Sequence, residues 1–150
     1  MSRFFTDDDD IEGLVLGFLD RSLPKARWTH AAHFATALWL LRHRPEIVVE
    51  REMPVFIRRY NESVGGVNSD TEGYHETITQ ASLLAAGGFL GKQPPERALH
   101  EIVDALMASP LGDPGWLLEY WSRDVLFSVA ARRGWIAPDL KPLPAGLTLG

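Results

Sequence analysis

Three of the five histidines of this chain stand near predicted helix starts, where their rings could act together. His30 and His33 follow Thr29 at the beginning of one predicted helix, and His75 follows Tyr74 in the first turns of another. Imidazole can ligate a metal ion, hydrogen-bond an anion or exchange a proton near neutral pH. These three histidines are therefore the first candidates for a functional site.

The helical wheel separates these three histidines from the other two. At about 100° per residue, His30 falls on the apolar stripe of its helix, His33 lies at the edge of that stripe, and His75 shares a face with apolar residues of its own helix. His43 and His100 fall away from the apolar stripes of their helices. The pattern thus predicts three inward rings and two outward ones.

Apolar residues recur every three to four positions along most of the chain, and strand patterns are nearly absent. This periodicity predicts a single all-α domain over residues 1–150, a bundle of about six helices with a flexible N-terminus over residues 1–6 and an extended proline-rich tail over residues 138–150. The six predicted helices start at Thr6 or Asp7, at Thr29, at Pro45, at Ser69 (with Glu72 as a capping box), near Glu96, and at Asp113–Pro114. The first five are predicted to end near Leu23, His43, Ser63, Leu90 and Ala108, in that order.

The bundle topology predicts that the three inward histidines meet. In an up-and-down bundle alternate helices run parallel, so the second and fourth helices begin at the same end, where the third helix finishes. Pro54 lies inside the third helix and is expected to kink it or to divide it. A full break at Pro54 would reverse the direction of the later helices.

One interpretation of the cluster is a divalent-metal site. His30, His33 and His75 would be the ligands of zinc or iron, and Glu76 would be a fourth ligand or a catalytic base for hydrolysis or oxidation of a small molecule. The positive ends of two helix dipoles oppose a cation at this place, and the spacing matches no established metal motif.

A second interpretation is a pocket for an anion or another small molecule, without catalysis. Free N–H groups at converging helix starts favour negative charge, and neutral histidines there would donate or accept hydrogen bonds. The candidate ligand-binding residues in this case are Thr29, Arg58, Asn61, Tyr74, Thr77 and Arg123. A third interpretation is purely structural: the histidines satisfy loop carbonyls, and Thr29 only caps its helix.

Composition excludes several classes of site and partner. The chain has no cysteine, which rules out disulfides and thiolate chemistry and fits a reducing cytosol. Its net charge of −5 argues against a nucleic-acid partner. No signal peptide or membrane-spanning run is visible, so a cytoplasmic protein without a membrane partner is expected. A homodimer through the slim Ala/Gly-rich fourth helix or through the tryptophans is a further expectation.

Three motifs carry a resemblance to a set of bacterial hypothetical proteins that spans most of the chain from Trp28 to Pro144. They are Trp-Thr-His-x-x-His at residues 28–33, Tyr-His-Glu-Thr-Ile-Thr at residues 74–79, and Tyr-Trp-Ser-Arg-Asp-Val-Leu-Phe-Ser at residues 120–128. Asp124 departs mildly from the usual form, in which a glutamate is common. The resemblance implies no activity or cofactor. It implies only that these residues fall inside the motifs: His30, His33, His75, Glu76, Thr77, Ser122 and Arg123.

Overall fold

The computed structural model describes residues 4–144, and that stretch contains seven α-helices and no strand. The predicted all-α bundle is therefore confirmed. The helices are α1 (Asp8–Leu19), α2 (His30–His43), α3 (Val49–Ser63), α4 (Glu76–Gly91), α5 (Leu99–Ala108), α6 (Arg123–Leu126) and α7 (Val129–Arg133), with short 3-10 turns at Lys25–Arg27, Pro110–Gly112 and Trp116–Glu119.

Helix α2 is the central element of the bundle. It packs against α1, α4 and α5, and residues on all of its faces are buried, among them Phe34, Leu38 and Leu40. A helix that is apolar all round is expected in the interior of a bundle. Because α2 is fixed by neighbours on several sides, the histidines in its first turn have a fixed position.

Two predicted helix starts are confirmed. Asp7 caps α1 by accepting a hydrogen bond from the N–H of Asp10, and Thr29 caps α2 by accepting one from the N–H of Ala32. Each bond satisfies one of the amides that the first turn of a helix leaves without a partner.

The predicted start of the fourth helix at Ser69 is wrong. The Ser69 hydroxyl does accept a hydrogen bond from the N–H of Glu72, but this pair closes a local turn, and α4 begins only at Glu76. Gly73 follows with φ +78, a conformation outside the helical region. A capping box needs a helix that continues after it, and Gly73 prevents that here.

Pro54 does not divide α3, which runs without a break from Val49 to Ser63. A proline has no N–H and so leaves the carbonyl four residues earlier, that of Glu50, without its helical partner. The side chain of Gln80 on α4 supplies a replacement donor, with its Nε2 2.8 Å from the Glu50 carbonyl oxygen. The hydrogen bond that proline removes from the helix is thus restored by a neighbouring helix.

Helix α5 begins later than predicted and takes its cap from another helix. Ala98 at its start has no side-chain cap, and the Asp8 carboxylate of α1 accepts from the N–H groups of Leu99 and His100. The His100 ring also bonds Asp8, at 2.8 Å, so this ring is half-buried rather than turned to water. Partial burial is the largest single influence on the pKa of Asp8 and raises it, but the bonds to His100 and Leu99 together lower this pKa below its ordinary value.

The sixth predicted helix does not form as one element. The Asp113 carboxylate accepts from the N–H of Gly115, and after it the chain makes only a 3-10 turn before the short helices α6 and α7. Residues 138–144 are non-helical, as predicted for the tail, and the N–H of Leu140 bonds the carbonyl of Tyr120. Residues 145–150 lie outside the described residues.

The N-terminal segment differs from the flexible end that was predicted over residues 1–6. Phe5 is 6% exposed and belongs to the core, and the N–H of Phe4 bonds Asp104. Residues 1–3 lie outside the described residues. No helix of the described chain is long and apolar enough to cross a membrane.

Candidate functional site

One cavity of about 550 Å³ brings the three predicted histidines together. His30 and His33 from the start of α2, and His75 from the start of α4, all line it. The predicted meeting of these helix starts is confirmed, and it depends on α3 staying continuous through Pro54. Most of the remaining wall is apolar: Trp28, Phe34, Met53, Ile57, Ile78, Trp116 and Leu117.

Both ring nitrogens of His75 are used by the protein itself. Its Nδ1 accepts a hydrogen bond from the N–H of Ile78, and its Nε2 donates to the carbonyl of Leu126 at 2.6 Å. Since a carbonyl can only accept, the proton is on Nε2 and the ring is neutral. Burial, with a smaller contribution from the nearby Arg132, lowers the pKa of His75 below its ordinary value. The ring serves as the N-cap of α4 and has no free lone pair for a metal.

His30 uses one of its two ring nitrogens in a hydrogen bond with the protein. Its Nε2 donates to the carbonyl of Leu111 at 2.8 Å, and its ring meets Phe34 edge to face. This bond ties the start of α2 to the 3-10 turn at Pro110–Gly112, 81 residues later in the chain. Its Nδ1 forms no hydrogen bond with any described residue.

His33 is the one member of the trio whose ring makes no hydrogen bond with the described chain. It packs against the indole of Trp28, with ring centroids 4.2 Å apart, in the arrangement of a hydrophobic staple. The His33 side chain lines the cavity, and its surface is exposed to solvent there. Desolvation, with a smaller contribution from His30, lowers the pKa of His33 to about 4. The ring is therefore neutral at pH 7, with one donor and one acceptor directed away from any protein partner.

The predicted fourth metal ligand, Glu76, is not part of the cavity wall. Its carboxylate accepts from the hydroxyl of Tyr74 at 2.5 Å and from the amide of Gln80 at 3.3 Å. Burial, and the bond to Glu76, raise the pKa of Tyr74. Glu76 thus holds the side chains of Tyr74 and Gln80 at the start of α4.

Residues 4–144 contain no group of three or more His, Asp or Glu side chains arranged to hold a metal ion. The reason is visible in the hydrogen bonds: His75 has no free nitrogen, His30 has one nitrogen bonded to a carbonyl, and Glu76 lies elsewhere. The zinc or iron centre stays a prediction that this geometry does not favour.

The residues predicted for the alternative pocket separate into two groups. Asn61 and Tyr74 line the cavity. The other four do not belong to its wall: Thr29 caps α2, Thr77 bonds the backbone of Gly134 and Ile136, Arg58 stacks on the Tyr74 ring at 4.3 Å, and Arg123 is exposed at the start of α6.

Charge at the cavity is nearly balanced. Lys25 and Glu72 are its two charged wall residues other than histidine, and both are exposed at its rim. Neither of the predicted arginines reaches it. The anion site expected from the converging helix starts therefore lacks its cationic side chains, and the caps Thr29 and His75 already occupy one amide of each start.

A loop between α3 and α4 forms one side of the cavity and is held in place by Asn68. The Asn68 side chain accepts from the amide of Asn61 and from the N–H of Tyr74, and donates to the carbonyl of Arg58. A Cβ on Gly73 would lie 2.3 Å from the carbonyl oxygen of Val67, so only glycine fits there. This close turn brings Tyr74 and His75 to the cavity.

Most of the wall was not predicted as part of a site, and Met53, Trp116 and Trp28 are examples. Trp116 is 6% exposed, and its indole N–H is buried without an acceptor. For Trp28 the sequence does hold a signal, because Trp28 and His33 occupy the two positions of a hydrophobic staple around the Thr29 cap. Met53 and Trp116 reach the cavity through tertiary packing, which no local pattern shows.

Comparison with protein-family models, with curated proteins and with solved structures finds no match to this chain. What the cavity does is therefore inferred from its own chemistry.

Proposed function

We propose that the protein binds an uncharged small molecule in the cavity between α2, α3 and α4, with His33 as its main polar contact. The observation that carries this proposal is the His33 ring, neutral and without a protein hydrogen-bond partner among the described residues, on the wall of a cavity of about 550 Å³. Ligand sites are typically concave, largely apolar and about 300–1,000 Å³ in volume, with few polar groups.

The distribution of charge supports an uncharged ligand. An anion buried among Trp, Phe, Ile and Leu side chains loses its hydration, and only Lys25 at the rim would compensate, opposed by Glu72. A metal-dependent hydrolase or oxidoreductase needs ligand nitrogens that His75 does not have free. The proposed activity is therefore binding, without a catalytic step.

The test is calorimetric titration of the full chain with uncharged molecules of one to three rings, namely indole, quinoline and 2-naphthol. We expect at least one to bind with a stoichiometry of one. Ala37→Leu, which adds volume to the cavity wall, should weaken this binding at least tenfold, and the same substitution at exposed Ala130 should not. Ser82→Leu repeats the test from the facing helix. Absence of binding by all three molecules, or unchanged binding in both cavity variants, would contradict the proposal.

The same set of experiments includes a test for a bound metal ion. Elemental analysis of the purified protein, and melting with and without chelator, test the zinc or iron prediction directly. Stoichiometric metal that is lost in His33→Leu would overturn the non-metal proposal.

A further inference from the structure

The wall of the cavity points to a more definite ligand, and this step rests on the proposed function. We infer that the ligand is a flat aromatic molecule carrying a hydroxyl or N–H group that donates a hydrogen bond to His33. The inference follows from three properties of the wall: its aromatic surface, the His33 ring without a protein hydrogen-bond partner, and its lack of net charge.

The aromatic surface is rigid. The Trp28 indole is held by the Phe18 ring, 4.3 Å away and nearly parallel, and by Tyr60 at 5.4 Å. Tyr60 is itself fully buried and donates to the carbonyl of Leu23 at 2.8 Å. Aromatic rings prefer offset or edge contacts with other rings, and such contacts stabilise beyond the area they bury. A fixed aromatic wall of this kind selects flat rings over flexible chains.

The polar group that the wall offers to a ligand is the His33 ring, which has no hydrogen-bond partner among the described residues. A neutral imidazole carries one bare nitrogen, which accepts, and one N–H, which donates. The Trp116 indole N–H also lacks an acceptor, but it is buried and is not exposed to the cavity. An aromatic compound with a hydroxyl or N–H group can donate to the bare nitrogen of His33.

The other histidines of the wall differ in how many of their nitrogens the protein uses. His75 has both nitrogens bonded, to Ile78 and Leu126, whereas His30 has only its Nε2 bonded, to Leu111. A ligand that donates a hydrogen bond therefore finds its acceptor at His33 or at the Nδ1 of His30, and not at His75. We assign the bond to His33, whose ring contacts the Trp28 indole, and the His33→Leu variant tests that assignment.

The test compares three naphthalenes that differ in one group: 2-naphthol, which donates; 2-methoxynaphthalene, which cannot; and 2-naphthoate, which is charged. Calorimetric titration of the full chain at pH 7.5 should give binding of 2-naphthol about tenfold tighter than of the ether, and still weaker binding of the carboxylate. In His33→Leu, the preference for 2-naphthol over the ether should disappear. His43→Leu, at the exposed far end of the same helix, is the matched control and should keep it.

A second readout does not depend on a variant. The ¹⁵N signals of His33 in the wild-type protein should move when 2-naphthol is added and move less with the ether, while those of His75 stay in place.

The outcomes separate the two proposals. Equal binding of naphthol and ether by the wild type, with no effect of His33→Leu, would overturn this inference and leave the binding cavity intact. Tighter binding of 2-naphthoate than of 2-naphthol would overturn it in favour of an anion. No binding of any of the three would overturn this inference, and failure of indole and quinoline as well would overturn the proposed function.

Discussion

The starts of α2 and α4 border the same cavity, and each carries histidine, but they use it differently. At α2 the Thr29 hydroxyl is the cap, and the His33 ring makes no hydrogen bond to the described chain. At α4 the cap is His75 itself, and both of its nitrogens are bonded to backbone. Only the second ring is part of the framework.

The difference teaches that hydrogen-bond partners, rather than residue type, decide what a histidine does. A ring that caps one helix and bonds the backbone of α6 holds two elements together. A ring that packs on Trp28 and faces a cavity is held by contact alone, so its nitrogens stay available. Three predictions test this comparison, from the largest expected effect to the smallest.

His75→Ala should destabilise the protein by about 2–3 kcal/mol, because it removes a helix cap and leaves the Leu126 carbonyl unpartnered. The free energy of unfolding in urea measures this loss. His75→Asn, which can keep the cap but not the bond to Leu126, should lose about half as much.

The matched substitution on the α2 side is His33→Leu, which keeps apolar contact with Trp28 and breaks no hydrogen bond to the described chain. It should change stability by about 0.5 kcal/mol or less. Equal losses in His75→Ala and His33→Leu would contradict the distinction between the two helix starts.

The second prediction extends the framework role of α4 to Gln80. Gln80→Leu should cost about 1–2 kcal/mol, since it leaves the Glu50 carbonyl without a donor. In a Pro54→Ala background the N–H of residue 54 can take that carbonyl, so the same substitution should cost about 1 kcal/mol less. Urea unfolding of the four proteins of this double-mutant cycle gives the coupling. A coupling near zero would mean that Gln80 does not replace the bond that Pro54 removes.

The third prediction concerns pH. Folding lowers the pKa of both His33 and His75, so between about 4 and 6.5 the unfolded chain binds more protons than the folded one. Stability should therefore fall as pH falls from 7 through this window. Because the His33 side chain is exposed to solvent, its own share between pH 7 and 4.5 is expected to be about 1 kcal/mol.

The unfolding free energies of wild type and His33→Leu at pH 7 and 4.5 isolate that share. Wild type should lose more stability than the variant over this interval, and histidine NMR titration should place the pKa of His33 below 6.5. A pKa above 6.5 for His33 would reverse the sign of this effect and contradict the prediction.

Much of the fold could be predicted because it rests on local chemistry. The caps Asp7 and Thr29, the Trp28–His33 staple and the apolar face of α2 each depend on residues within a few positions of one another. The errors arose where local signals competed. Ser69 and Glu72 form the bond of a capping box, yet Gly73 turns the chain before a helix can follow, and α4 has its cap at His75 instead of Ser69.

The site was predicted only in outline. The wheel and the bundle topology together indicated that His30, His33 and His75 meet, and they do line one cavity. The assignment of roles could not be made in this way, because the acceptors that bind two of the rings, Leu111 and Leu126, lie 81 and 51 residues further along the chain. Of the residues behind the expected homodimer, Ala85, Ala86, Trp116 and Trp121 are buried in the bundle, whereas Gly87 and Gly88 are half-buried, and the homodimer stays a prediction.

The amino-acid sequence by itself determined that the chain is helical and that Asp7 and Thr29 cap the first two helices, since periodicity and first-turn hydrogen bonds act over one or two turns. The tertiary structure decided which imidazole nitrogens stay free, which side-chain donor replaces the N–H that Pro54 lacks, and which aromatic rings form the cavity wall. Those outcomes depend on backbone groups that are distant in the chain. The packing of whole helices brings these groups next to the cavity.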